Sequence, residues 1–145
     1  MKMATDSSRC RELIASQREA EGFLKQAVED EARNKQEVDR LERYVADSQN
    51  VLIRLEQELS TILAGAVDLL RTLTRRKRPL PFLKAESAPE VVAQAKMIAN
   101  ERENLKEAKE ILAYRREQLA QNRRDIPYFR QSLQRIFALQ KEHGC

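Results

Sequence analysis

Stepping alternately by three and four from Cys10, the chain places Leu13, Gln17, Ala20, Leu24, Ala27, Glu31, Asn34, Val38, Leu41, Val45, Ser48, Leu52, Leu55, Leu59, Ile62, Ala66, Leu69 and Leu73 on one stripe. Cys10, Gln17, Glu31, Asn34 and Ser48 are its polar or weak members. This unslipped spacing belongs to a helix that buries a narrow seam against another helix, as in a coiled coil. No Pro falls within residues 9–76, and Glu21–Lys25, Glu29–Arg33 and Asp39–Arg43 set an acid four residues before a base, the order that supports a helix. The pattern predicts a tail over 1–8 and one long helix over 9–76.

A second arm begins at Ser87-Ala88-Pro89-Glu90, where Ser, Pro and Glu have capping-box spacing. Val91, Ile98, Leu105, Leu112, Leu119, Ile126 and Leu133 then recur every seventh residue, with a more polar companion series: Gln94, Glu101, Ala108, Arg115, Asn122, Phe129 and Ile136. The returning arm is predicted over 90–143, kinked or broken at Pro127, because an interior Pro removes a hydrogen bond and clashes with the preceding turn. Between the arms, 77–89 is a basic, Pro-rich connector.

The predicted fold is therefore all-α: a long antiparallel coiled-coil helical hairpin forming a single unit over 1–145. Apolar meets apolar if Leu69 faces Ile98, Ile62 faces Leu105, Leu59 faces Ala108, Leu55 faces Leu112 and Leu41 faces Ile126. That register sets the basic column Arg102, Lys109, Arg116, Arg123 and Arg130 opposite Leu63, Glu56, Gln49, Glu42 and Lys35. It leaves residues 1–22 without a partner in the hairpin. It also places Cys145 near residue 22, roughly 18 Å along the helix from Cys10, so both cysteines are expected as free thiols.

Composition agrees with extended helices: 34% charged residues, 5% aromatic, three Gly, four Pro and no Trp. The net charge of +4 mixes both signs, and no apolar run reaches the length of a membrane span. No apolar segment follows Met1-Lys2-Met3 as a secretory signal would require, so an intracellular, cytoplasmic location is expected, with the nucleus as the alternative. Catalytic chemistry is not expected. The single His143 and Cys145 are two ligands on a tail, too few for a metal site, and no Gly-rich phosphate loop occurs, so neither metal nor cofactor is predicted.

Interaction surfaces remain. Val51, Ile53, Leu63, Val67 and Leu70 lie outside the seam, and a helix apolar over so wide an arc needs further partners. Gly65, beside Ala64 and Ala66, would admit another helix closely. Leu13, Ile14 and Phe23 carry an apolar stripe where the long helix lacks a mate, and Leu80, Phe82 and Leu83 form a docking peptide or a plug for the hairpin end. Arg75, Arg76, Lys77 and Arg78 offset the helix dipole and make an acidic protein surface a candidate partner; without interleaved aromatics they argue against nucleic acid.

The expected role is a non-enzymatic structural or adaptor subunit of a multi-protein coiled-coil assembly, of cytoskeletal, kinetochore-like, tethering or axonemal type, with other helical subunits as hetero-oligomeric partners. In size and two-arm plan the chain also resembles the coiled-coil stalk subunits of bacterial flagellar and type III secretion export ATPases, which would imply a regulatory stalk. A basic scaffold associated with RNA or DNA is the remaining alternative.

Overall fold

A computed structural model of the chain describes residues 2–75, 86 and 88–145, with side chains over 7–72, 86 and 88–145. Two long helices, α1 (Lys2–Arg75) and α2 (Pro89–Glu142), pack against each other as an all-α antiparallel hairpin. α1 begins well before residue 9, so most of the expected tail is helical. No breaker stands between Lys2 and Cys10, and extending a formed helix needs no new nucleus. At the other arm the Ala88 carbonyl accepts from the Val92 N–H at 3.0 Å, and Pro89 opens the helix where its missing N–H is not needed. Ser87 lies outside the described residues.

The chain forms two compact units, Met1–Asp39 with Leu112–Cys145, and Arg40–Ile111. In the first, Leu13, Ala20, Ala27, Asn34 and Val38 of α1 and Leu112, Leu119, Asn122, Ile126 and Leu133 of α2 are buried. In the second, Leu52, Leu55, Ile98 and Leu105 form a cluster flanked by Val45, Val51 and Leu59. Every one of these except Val51 belongs to the predicted stripes. Leu69 departs from them, at 61% exposed.

The two stripes do not meet as expected. Leu55 clusters with Ile98 where Leu112 was expected, a slip of two heptads along α2. Polar seam residues account for it. Asn34 Nδ2 donates to Asn122 Oδ1 at 2.7 Å, and Arg115 donates to Asn34 Oδ1 at 3.1 Å. Gln140 donates to Gln17 at 2.7 Å, Ser48 donates to Glu101 at 2.5 Å, and Gln94 donates to the Leu55 carbonyl at 3.0 Å and to Glu58 at 3.1 Å. The expected register would have set Asn34 among Phe129, Leu133 and Ile136, and Glu101 among Ile62, Ala66 and Leu69. A buried polar group left unpaired costs roughly 1–3 kcal/mol, so matching the polar positions outweighs apolar matches that many registers offer. No buried side-chain nitrogen or oxygen among the described residues lacks a partner.

Three further expectations change with the register. The start of α1 is paired, because Gln17 meets Gln140 and Cys10 is bonded to Cys145. The overhang lies at the other end: in this register Val91 stands across from Ile62, so α1 beyond Ala66 outruns the first turn of α2. The cysteines are not free thiols but a disulfide across 135 residues, with Cα atoms 5.8 Å apart. The segment His143-Gly144-Cys145 is accordingly no loose tail. Cys145 N–H donates to the Gln140 carbonyl (2.8 Å) and Gly144 N–H to the Lys141 carbonyl (3.3 Å), with Gly144 at φ +72°, the paired bonds of a Schellman cap.

Pro127 does not end the second arm, since α2 runs through it as one helix. Pro127 is exposed, as is Arg123, the residue whose carbonyl loses its partner, so water can satisfy that carbonyl. Among the described residues no helix is long and apolar enough to cross a membrane.

Candidate functional site

A two-helix seam leaves two edges along each helix, and the heptad decides what each carries. In the Arg40–Ile111 unit one edge is charged: Arg102 pairs with Glu56 at 2.9 Å, near exposed Gln49 and Lys109. Glu56 was expected opposite Lys109; the structure pairs it with Arg102, one heptad nearer the start of α2. Both partners are largely solvated, so the pair contributes under about 1 kcal/mol.

The opposite edge is apolar. It carries Tyr44 and Val51 from α1, each immediately before a seam residue, and Met97 and Ile111 from α2, in the equivalent place. Met97 and Ile111 are 52% and 50% exposed. Between Tyr44 and Ile111 runs a shallow groove of about 240 Å³, lined by Arg40, Leu41, Tyr44, Asn104, Glu107, Ala108 and Ile111. In the Met1–Asp39 with Leu112–Cys145 unit, aromatics gather around Phe129 of the seam. Phe23 stacks on Phe129 with centroids 5.5 Å apart, and Tyr128 meets Phe129 edge-on at 5.5 Å. Tyr128 remains 64% exposed. Nearby in sequence, the Arg115 guanidinium sits 6.0 Å from the Tyr114 ring centre.

The structure sorts the predicted partner-binding residues. Leu13 is buried in the seam and cannot serve a partner while the hairpin is closed; the corrected register gives it a mate in α2. Ile14, Phe23, Ile53 and Val67 are exposed, and Val51, Leu63 and Leu70 are half-buried. Leu80, Phe82, Leu83, Arg76, Lys77 and Arg78, together with the Arg75 side chain, lie outside the described residues. Gly65 has open space where a Cβ would stand, so nothing within the described chain uses its lack of a side chain.

Sequence reading missed Tyr44, Tyr114 and Tyr128. It also treated Val92, Met97 and Ile111 as cover for α1, whereas all three are exposed themselves. The signal was available: Tyr44, Val51, Met97 and Ile111 each precede a seam residue by one, which fixes them to a single edge. Among the described residues no three His, Cys, Asp or Glu side chains converge as metal ligands would, and the Cys145 sulfur is spent in the disulfide. No family model, curated protein or solved structure matches this chain.

Proposed function

We propose that the chain is a non-enzymatic structural or adaptor subunit whose hairpin docks further helices of a multi-protein assembly along its apolar edge. One observation carries the reading. Tyr44, Met97 and Ile111 stay exposed beside a seam already complete in its hydrogen bonds, with Arg102, Glu56 and Lys109 on the opposite edge. A solvated hairpin needs only its seam apolar; an edge that is apolar as well gains by being covered. The reading takes the chain as a cytoplasmic protein with helical, hetero-oligomeric partners.

The test is the double variant Met97→Glu with Ile111→Glu, in crosslinking mass spectrometry of the assembled chain and in circular dichroism. Both side chains face outward, so helicity should persist. Losing two buried side chains removes about 1.5–3 kcal/mol each, so helical partners crosslinked to this edge in the native chain should disappear. An unchanged set of partner crosslinks in the double variant would overturn the proposal. These positions test it more cleanly than Val67 and Leu70, because Leu70 is half-buried.

A further inference from the structure

Cys10 and Cys145 have a chemical capacity that the docking edge does not involve. We propose that they form a reversible thiol–disulfide site, exchanging with small thiols and disulfides of the glutathione class, whose state controls the opening of the unit formed by Met1–Asp39 and Leu112–Cys145.

Three observations lead there. First, access: Cys145 is exposed and Cys10 only half-buried, so a small thiolate can reach the bond. Second, presentation: the Schellman cap at Gly144 turns the chain off the end of α2 and holds Cys145 across from Cys10 by backbone hydrogen bonds rather than by packing. The reduced cysteine therefore stays in place to re-form the bond. Third, need: on α1 this unit's buried seam runs Leu13, Ala20, Ala27, Asn34 and Val38, with two alanines and an amide at its middle where the other unit's cluster has Leu52 and Leu55. Small side chains bury little area, so the bond supplies closure that packing does not.

The chemistry balances with glutathione disulfide as oxidant. The Cys145 thiolate attacks it and releases one glutathione; the Cys10 thiolate then attacks the Cys145 sulfur of the mixed disulfide and releases the second. Two protein thiols become one disulfide, one small disulfide becomes two thiols, and the two thiol protons end on glutathione. Opening is the reverse, begun by a glutathione thiolate at the sulfur of Cys145, the more exposed of the two residues. Once open, the unit would uncover Leu13, Ile126 and Leu133, which the closed seam hides.

The experiment equilibrates the full chain in glutathione buffers of graded thiol-to-disulfide ratio, traps free thiols by alkylation, and follows amide hydrogen exchange on the same samples. The bonded fraction should fall progressively across cellular ratios. Exchange over residues 13–34 and 119–142 should rise on the order of a hundredfold upon reduction, while 45–66 and 91–108 hold. The variant Cys10→Ser should show the reduced pattern without reductant. A bond that stays closed at every ratio, or exchange in 13–34 that is unchanged by reduction and by Cys10→Ser, overturns the proposal.

Discussion

The Asn34–Asn122 pair makes the register testable. Asn34 and Asn122 are 6% and 8% exposed; Asn34 Nδ2 donates to Asn122 Oδ1 at 2.7 Å while Asn34 Oδ1 accepts from Arg115 at 3.1 Å. Replacing Asn34 by Ala strands the Asn122 carbonyl oxygen and frees the Arg115 guanidinium; replacing Asn122 strands the Asn34 amide. Each single change should destabilise by about 1–3 kcal/mol, the penalty for an unmet buried polar group. The double change strands neither amide, so its loss should fall short of the sum by about 0.5–1.5 kcal/mol. Urea unfolding followed by circular dichroism measures all three. A second arm replaces both residues by Leu in a chain lacking Cys10 and Cys145. Stability should hold or rise, while register is released, as happens when a polar seam residue is removed from a coiled coil. Cysteines introduced at Leu55 and Ile98 report the native register, and at Leu55 and Leu112 the two-heptad slip. Additive single losses, or a Leu–Leu chain that crosslinks only in the native pair, would show that the asparagines do not set the alignment.

Two further perturbations bear on the fold. Leu55→Ala removes a 5% exposed side chain from the Leu52, Ile98 and Leu105 cluster and should cost about 2–5 kcal/mol, seen as a lower urea midpoint at unchanged slope. Pro127→Ala restores the helix bond to the Arg123 carbonyl and should stabilise by up to about 3 kcal/mol; a variant that melts earlier would mean the proline is required where it stands.

Which residues form the seam was legible in the sequence because burial repeats with the heptad. Val91, Ile98, Leu105 and Leu119 are buried where the spacing put them, and so are Leu13, Leu41 and Leu52. Alignment was not legible from apolar residues, for a simple reason: they are the majority on both stripes, so any shift by whole heptads still pairs Leu with Leu or Ile. The scarce members, Gln17, Asn34, Ser48, Glu101, Arg115 and Asn122, hold the alignment because few shifts satisfy them. The disulfide was missed as a consequence, since the wrong alignment carried Cys145 away from Cys10. Pro127 does not break the arm, one of the two outcomes its spacing allowed, because its penalty is local and exposed, while Ile126 and Leu133 on either side keep the helix docked. The apolar edge was half visible, through Val51 but not through Tyr44, because a lone aromatic beside the seam stands out only when Met97 and Ile111 in the equivalent place on the other arm are read with it.

The bond between Cys10 and Cys145 also changes what kind of object the chain is. With both arms and the connector lying between its ends, the oxidised protein is a covalent ring. A single cut anywhere in that circuit, for example after Arg75, Arg76 or Lys77, opens the ring without yielding separable fragments. The two arms would remain one molecule, still aligned by their asparagines and leucines, until a thiol releases them. Cleavage and reduction thus act as two keys on one lock, and neither alone divides the chain into two molecules.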